Sequence, residues 1–368
     1  MKIPLTKPFM NDEIRDRVME VLESGYLTEG PVTRKLESVF SEYIGCRHSI
    51  AVTSCTAGLE IALRCLGIGP GDEVIVPDYT YPGTVTVAPN IGATSVFVDI
   101  DKNTMLIDYD AIEEAITPRT KAIIPVSEFG NPLNYDKLNE LKEKYGLYII
   151  EDAACSIGAE FNGIKTGNQA DISVFSLHPR KFITTGEGGM ITTNNSQWAE
   201  WIDSYKHFGI SKSKVREDIH FEMIGINSKM SDVLAAIGYG QMLHVDELLE
   251  NRHRAVKNYL ELLKNVKGVS IPRTTEGGKH SYQSFAIFVE NREHILKTMR
   301  AEGVEVQIGT YALHMHKAFK ESPLCRVQGE YPGSRFALDN CLALPLYNDI
   351  TLGQQKIVVE KLVSLFNY

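Results

Sequence analysis

The feature that most constrains the fold of this chain is a regular alternation of short apolar runs and helical patterns between about residues 45 and 195. Turn residues, for example those at positions 67–72, separate the two kinds of segment. Apolar strands that alternate with helices indicate a mostly parallel sheet with helices on both faces, and the ligands of such sheets bind at the carboxyl ends of the strands. We predict strands at residues 49–52, 73–76, 95–98, 122–126, 147–150, 171–176 and 189–193, and helices at about 56–66, 82–90, 108–116 and 135–145.

The length of 368 residues predicts one large domain and one smaller domain. From about residue 228 the pattern becomes that of a long helix, which we predict to run through Met242 and on to Lys264. A mixed segment follows, with a strand pattern at 284–289 and a helical pattern at 292–302. We predict a large domain over residues 1–245 and a small domain over residues 246–368. The N-terminal helical region, at about residues 10–43, is expected to pack with the small domain.

Composition and charge argue against several classes of protein. The formal net charge is −9 and no long basic run occurs, which argues against binding to nucleic acid or a membrane surface. The N-terminus lacks an apolar signal core, and no apolar run reaches the length of a membrane span. The six cysteines are scattered without a CxxC pair, which predicts free thiols in a reducing cytoplasm. His178, His314 and His316 have no acidic partner at a suitable spacing, so we expect no metal site.

Lys181 is the first candidate for chemistry. It ends the sequence FSLHPRK at positions 175–181, in a loop between the predicted strands 171–176 and 189–193. Such a loop is expected to withdraw the lysine partly from water, which lowers the pKa of its amine and leaves it a usable nucleophile. A lysine of this kind forms Schiff bases with carbonyls and with pyridoxal phosphate.

Further candidates follow other predicted strands. Asp152 lies just after the apolar run 147–150, where a carboxylate is able to keep a pyridine nitrogen protonated; a helix N-cap or a loop salt bridge is the simpler explanation of an isolated aspartate. The turn TSCTAG at 53–58 leads from the first strand into a helix, and offers N–H groups and hydroxyls to a phosphate or serves as an ordinary N-cap. Ser176, shortly before Lys181, is another candidate phosphate contact.

An aromatic residue, Tyr81, follows the predicted strand 73–76. A tyrosine there covers one face of a flat cofactor ring, or simply packs in the core or on the surface. Two competing nucleotide fingerprints are absent, because no GxGxxG follows the first strand and no GxxxxGK[ST] occurs in the chain.

In their order along the chain, these motifs resemble the DegT/DnrJ/StrS-type sugar aminotransferases, a branch of the fold-type-I pyridoxal-phosphate enzymes. The similarity extends over nearly the whole chain, and several motifs in a fixed order make it specific. It implies an α/β fold of the fold-type-I class, with a mostly parallel, seven-stranded-type sheet in the large domain and a smaller α+β C-terminal domain. The matching segments are residues 24–31, 69–77, 151–154, 175–181, 184–189, 225–227, 230–236 and 342–345.

The resemblance implies pyridoxal 5'-phosphate as the cofactor and assigns roles to matching positions. Lys181 corresponds to the Schiff-base lysine, Asp152 to the partner of the pyridine nitrogen, and Tyr81 to the aromatic that stacks on the ring. The positions at which the family holds the cofactor phosphate are Ser54, Cys55, Thr56 and Ser176.

The resemblance also implies a homodimer with shared active sites. Asn227 falls where the family sends an asparagine across the dimer interface to the phosphate of the neighbouring subunit. His314 and Lys229 are the candidate substrate residues.

Three positions depart from the family pattern. Cys55 replaces a usual glycine, which affects how closely the backbone approaches the phosphate. Cys155 stands where a glutamine often reaches the ring hydroxyl of the cofactor, and a thiol is a weak donor by comparison. Lys229 stands where arginine is common, so a bidentate clamp on the carboxylate of the amino donor is less secure.

The sequence therefore predicts an aminotransferase that moves an amino group from L-glutamate to a nucleotide-linked keto-deoxysugar. Lys181 sets it apart from members of the family that carry histidine at this position and act as sugar dehydratases. Two alternatives stay open: an aminotransferase for a cyclitol or another small ketone, and a regulatory or binding protein that retains the cofactor without turnover.

Overall fold

The computed structural model describes residues 2–211, 218–327 and 329–366. Among its helices, none has both the length and the apolar content needed to cross a membrane. The helices are α1 (Asp12–Ser24), α2 (Pro31–Ile44), α3 (Cys55–Cys65), α4 (Pro82–Asn90), α5 (Tyr109–Ala115), α6 (Tyr135–Tyr145), α7 (Ser196–Tyr205), α8 (Asp232–Met242), α9 (Val245–Leu263), α10 (Arg292–Ala301), α11 (Lys317–Lys320), α12 (Pro332–Asn340) and α13 (Leu352–Ser364), with 3₁₀ turns at Glu128–Gly130 and Leu313–Met315.

The strands are mostly short, and those predicted between residues 45 and 195 are all present to within three residues at each end. They are β1 (His48–Val52), β2 (Glu73–Pro77), β3 (Tyr79–Thr80), β4 (Thr94–Val98), β5 (Ile100–Asp101), β6 (Leu106–Ile107), β7 (Thr120–Ile123), β8 (Tyr148–Asp152), β9 (Glu160–Phe161), β10 (Ile164–Lys165), β11 (Ile172–Ser176), β12 (Gly189–Thr193), β13 (Val269–Ser270), β14 (Gly278–Lys279), β15 (Phe285–Val289), β16 (Gln307–Ile308), β17 (Tyr311–Ala312), β18 (Cys325–Arg326) and β19 (Cys341–Leu344).

The central sheet has the strand order β1-β12-β11-β8-β7-β2-β4-β18. Strand β12 runs antiparallel to both of its neighbours, and every other neighbouring pair in this sheet is parallel. Both faces are covered: Val74 packs in a cluster with residues of α3 and α4, and the next residue, Ile75, packs on the other face with residues of α5 and α6. Burial on both faces explains why these strands are continuously apolar. The predicted mostly parallel α/β fold is confirmed, and the sheet has eight strands rather than seven because the two-residue β18 adds to β4 at one edge.

A second, smaller sheet lies in the C-terminal part of the chain, with the order β13-β15-β19-β16 and antiparallel pairing throughout. Its core includes residues of α9, α10 and α13; the ring of Tyr259 on α9 stacks on Phe285 of β15 at 5.0 Å between centroids. The division into domains at residues 245 and 246 stays a prediction.

Two predictions about the helices differ from the structure. The single long helix is two helices, because the chain tightens at His244, whose N–H donates to the carbonyl of Gln241, three residues back, before α9 begins. The N-terminal helices α1 and α2 pack on α8, within residues 1–245, rather than principally on the small domain. Gly240 makes room for this contact, since an added Cβ would lie 2.7 Å from Cγ1 of Ile14.

Candidate active site

The candidate site residues gather at one edge of the central sheet. Strands β11, β8, β7, β2 and β4 are parallel, and β1 runs in the same direction as β11 because both pair antiparallel with β12. Their carboxyl ends therefore meet at one edge. The residues at or just beyond these ends include Ser54, Asp78, Glu128, Asp152 and Ser176.

The turn after β1 forms a close-fitting cradle at the start of α3. Ser54 caps this helix, and its hydroxyl accepts a hydrogen bond from the N–H of Ala57 at 3.1 Å. The N–H groups of Cys55 and Thr56 lie in the first turn, where a helix provides no internal acceptor. Gly189 of β12 lies directly against this turn: an added Cβ would be 2.6 Å from the carbonyl carbon of Ser54. Only glycine permits that approach, and the result is a set of donors suited to an anion.

Ser176 ends β11 beside this cradle. It is paired with Gly189 across the sheet, and Gly189 is in turn paired with Val52 of β1. The Ser176 hydroxyl is largely buried and accepts a long hydrogen bond, of 3.4 Å, from the N–H of His178. The four predicted phosphate contacts are thus placed around one region of the sheet edge.

Asp152 is the last residue of β8 and is buried. One carboxylate oxygen accepts a hydrogen bond from the Thr84 hydroxyl at 2.7 Å, and the other accepts one from the N–H of Ala154 at 3.1 Å. The Cys55 thiol lies 3.8 Å from the second oxygen. Burial raises the pKa of Asp152, and these hydrogen bonds together with the positive charge of Lys181 oppose the rise.

The amine of Lys181 lies 3.1 Å from the Cys155 thiol. Burial by itself lowers the pKa of this amine, but Cys155, and then Glu128 and Asp152, act in the opposite direction and leave the pKa raised. Burial therefore acts in the direction that the sequence predicts, and the neighbouring groups outweigh it. The sequence shows the loop around the lysine but not the acids and the thiol that other segments bring to it.

Glu128 is a site residue that the sequence analysis missed. It lies in the turn after β7, is 7% exposed, and its neighbour Phe129 has a φ of 56°, an unusual value for a bulky residue. Burial raises the pKa of Glu128 to about 7, although the charge of Lys181 lowers it. The sequence does offer a sign of this role, because Glu128 follows the predicted strand 122–126 just as Asp152 follows the predicted strand 147–150.

Tyr81 caps α4 and leaves 68% of its surface exposed, which is high for a tyrosine. Its ring lies 6.4 Å from that of Tyr311. An added Cβ on Gly83 would be 2.7 Å from the Thr56 hydroxyl, so the first turns of α3 and α4 approach each other closely. The exposed ring of Tyr81 and the cradle at α3 therefore border the same region.

His314 is held by Asp78, a second residue that the sequence analysis missed. The Nδ1 atom and the backbone nitrogen of His314 each lie 2.6 Å from a different carboxylate oxygen of Asp78. The imidazole stacks on Tyr331, with 4.6 Å between ring centroids. Asp78 is fully buried just beyond β2, so His314 also lies at the sheet edge, with its orientation fixed.

Asn227 and Lys229 bond to each other rather than to Lys181 or Asp152. The amide oxygen of Asn227 accepts a hydrogen bond from the Lys229 amine at 2.7 Å, and this amine lies 4.7 Å from the centre of the Phe208 ring. Asn227 is exposed. The neighbouring Ser228 has its hydroxyl 2.8 Å from that of Thr53, at the start of the cradle.

The sequence and the fold are similar to those of known aminotransferases and sugar-related proteins. Residues 8–363 match the model of the DegT/DnrJ/EryC1/StrS aminotransferase family. The chain is 31% identical to the spore coat polysaccharide biosynthesis protein SpsC of Bacillus subtilis, over 97% of this chain and 95% of that protein. Its fold is similar to the PLP form of the putative sugar aminotransferase Spr1654 from Streptococcus pneumoniae (28% identity, TM-score 0.89, 98% of this chain and 100% of that chain). It is also similar to DesV from S. venezuelae (29% identity, TM-score 0.90, 99% and 98%).

Proposed function

The chain belongs to the DegT/DnrJ/EryC1/StrS aminotransferase family, and from this premise we propose that it transfers an amino group from L-glutamate to a nucleotide-linked keto-deoxysugar. The family and the solved relatives make it a pyridoxal-phosphate-dependent aminotransferase. The nature of the sugar acceptor, the nucleotide and the role of each residue are our proposals. The observation that carries the catalytic roles is that the half-buried Lys181 and the buried Asp152 interact electrostatically at the carboxyl edge of the sheet.

The residues at this edge fit pyridoxal 5'-phosphate. The cofactor has an aldehyde, a pyridine nitrogen and a phosphate, and it supplies an electron sink for the carbanion formed beside it. Lys181 is the amine for the aldehyde, Asp152 the buried carboxylate for the protonated ring nitrogen, and Tyr81 the exposed aromatic for a ring face. The cradle closed by Gly189 suits the phosphate, for which the proposed contacts are Ser54, Cys55, Thr56 and Ser176.

Lys181 also carries the proton in our proposal. Its amine takes the proton from the α-carbon of the amino donor, and in the second half of the cycle it delivers a proton to the carbon of the sugar that gains nitrogen. Glutamate leaves as oxoglutarate, and the sugar ketone becomes an amine. Asp152 acts electrostatically throughout, because a carboxylate is able to stabilise a cationic ring nitrogen and a neutral amide is not. Cys155, whose thiol lies 3.1 Å from the amine, would be a neighbour of the cofactor ring when the cofactor is bound.

The nucleotide-sugar assignment rests on the family and on relatives whose names refer to polysaccharide biosynthesis and to sugar aminotransferases. His314, oriented by Asp78, is the proposed contact for a sugar hydroxyl, since an imidazole held through Nδ1 leaves Nε2 for a ligand. Lys229 is the proposed cation for the donor carboxylate. A single ammonium group provides less directional recognition than a guanidinium.

We further propose that the active unit is a homodimer in the cytoplasm, with Asn227 contributing to the partner's phosphate site. Large apolar side chains near Asn227 are exposed: Phe221 by 67%, Ile224 by 97% and Ile226 by 38%. An exposed apolar patch of this kind is typical of an association surface. A twofold axis would give two equivalent sites, each completed by both chains.

The test combines cofactor mapping with a substrate panel. The purified protein should be yellow, and borohydride should fix the cofactor to Lys181 in peptide mapping. With glutamate as donor, keto-sugar nucleotides should be aminated faster than the matching free keto-sugars and than cyclitol ketones. Preference for a cyclitol ketone would replace the sugar proposal, and the absence of any spectral change with glutamate would favour a binding protein without turnover.

A further inference from the structure

One buried side-chain amide holds the backbone on both sides of Lys181. The Oε1 atom of Gln283 accepts a hydrogen bond from the N–H of Phe182 at 2.7 Å, and its Nε2 donates to the carbonyl of Arg180 at 2.7 Å. Gln283 is 6% exposed and lies just before β15 of the smaller sheet. The lysine loop is thus fixed by a residue about a hundred positions further along the chain.

Gln283 is itself held from α9. The Nη1 atom of Arg252 donates to the carbonyls of Tyr282 and Gln283, each at 3.0 Å, and the guanidinium lies 4.9 Å from the centre of the Phe182 ring. Burial lowers the pKa of Arg252 to about 10, and its Nε is buried with no hydrogen-bond partner in the described part of the chain. A cation buried in this way is costly. The burial of Arg252 is therefore better explained by its hydrogen bonds to the Tyr282 and Gln283 carbonyls than by a gain in the stability of the fold.

The same segment also contacts the turn that carries Glu128. The N–H of Ser281 donates to the carbonyl of Gly130 at 2.9 Å, and an added Cβ on Gly130 would lie 2.9 Å from the backbone nitrogen of Tyr282. Tyr282 has a φ of 54°, another unusual value for a bulky residue. Strained backbone persists where surrounding contacts define it tightly, and it is common near active sites. Residues 281–283 thus touch the backbone of the Lys181 loop and of the turn that carries Glu128.

We propose that Gln283 is a positioning residue for the aminotransferase reaction, which sets the place of the Lys181 amine by clamping the peptide groups on either side of it. This inference rests on the proposed role of Lys181. In the proposed reaction the Lys181 amine exchanges a proton first with the α-carbon of the donor and later with the sugar carbon that gains nitrogen. A displacement of about 1 Å in such a reacting group is able to cost about 100-fold in rate. Because Gln283 belongs to the segment that leads into the smaller sheet, the clamp also ties the position of the amine to that sheet.

The test compares Gln283→Met with Gln355→Met, both as holoenzymes. Gln355 is a matched control: it is fully buried on α13, and its amide donates to the carbonyl of Ala255 on α9 at 2.6 Å and accepts from Asn258 at 2.9 Å. Both variants should lose a similar amount of thermal stability. Only Gln283→Met should slow the single-turnover reaction with saturating glutamate, by about 10- to 100-fold, with little change in the KM for glutamate.

A second readout does not depend on turnover. The pH midpoint of the absorption band of the lysine-bound cofactor should shift in Gln283→Met and match the wild type in Gln355→Met. If Gln283→Met has the rate and the midpoint of the control, Gln283 is only a structural residue and the inference is wrong. Should Gln283→Met not fold, Gln283→Asn replaces it, since its amide is one methylene too short to reach both peptide groups; wild-type behaviour of that variant would equally overturn the inference. Failure of borohydride to fix the cofactor at Lys181 in the wild type would instead overturn the proposed function, and this inference with it.

Discussion

Glu128→Gln provides a test of the electrostatics of the site that needs no substrate. In the folded chain the pKa of Glu128 is about 7, above its ordinary value of 4.5, because burial penalises the carboxylate more than the charge of Lys181 stabilises it. The native state therefore keeps a proton that the unfolded chain releases between these two pH values. Stability from the protonated form is complete below about pH 4.5 and is lost as the pH rises towards 7.

The magnitude follows from the interval between the two pKa values. Each pH unit in this interval costs about 1.4 kcal/mol, so full ionisation of Glu128 should reduce the free energy of unfolding by about 3 kcal/mol. Glutamine has nearly the same shape and does not ionise. Glu128→Gln should therefore match the wild type near pH 4 and exceed its stability by about 3 kcal/mol near pH 8.

The assay is equilibrium unfolding in urea of the cofactor-free protein across this pH range. Glu143→Gln is the control, because it removes the same charge from an exposed position and should leave the pH dependence of the wild type unchanged. The difference between Glu128→Gln and wild type should grow steadily with pH. A constant difference, or a variant that is less stable than the wild type near pH 8, would show that Glu128 is ionised at neutral pH and refute the reasoning.

Three further predictions concern the proposed roles and the charged core. Asp152→Asn should fold normally but slow single-turnover deamination of glutamate by about 100-fold or more, because an amide cannot hold the ring nitrogen protonated; a rate within a few-fold of wild type would contradict this role. Lys181→Ala and Asn227→Ala chains, each poorly active alone, should regain activity in mixed dimers, and no recovery in dimers confirmed to form would exclude shared sites. Lys206, fully buried and 2.8 Å from a carboxylate oxygen of Glu29, should be structural: Lys206→Met should cost about 3–5 kcal/mol of unfolding free energy in urea, because Glu29 and Glu37 then share Arg34 as their ion-pair partner, and a cost below about 1 kcal/mol would argue against it.

The sequence predicts what depends on local pattern. The apolar runs between residues 45 and 195 have the length and composition of buried parallel strands, and each is a strand of the central sheet. Lys181 and Asp152 were identified because they lie just after such strands. Because the carboxyl ends of parallel strands lie at the same edge of a sheet, the predicted strands alone place Lys181 and Asp152 at one edge.

The rest depends on contacts between segments that share no local pattern. Asp78 and His314 are more than two hundred residues apart in the chain, and the antiparallel pairing of β3 with β17 brings them within hydrogen-bond distance. Gln283 clamps a loop about a hundred residues before it. The raised pKa of Lys181 has the same origin, since two other segments, the turn with Glu128 and the end of β8 with Asp152 and Cys155, supply the groups that raise it.

The charges around Lys181 also bear on the kind of ligand that the site accepts. The amine lies among two buried acids, Asp152 and Glu128, and beside the Cys155 thiol. A ligand that consumes the positive charge of the amine removes the cation that stabilises both carboxylates. Each acid then needs a substitute for that cation: either the ligand places a positive charge beside the carboxylate, or the carboxylate takes up a proton. A ring with a protonated nitrogen meets the first requirement at Asp152, while Glu128, with a pKa already near neutrality, meets the second by taking up a proton. The arrangement therefore favours a ligand that pairs a reactive carbonyl with a basic ring nitrogen over one that carries the carbonyl alone.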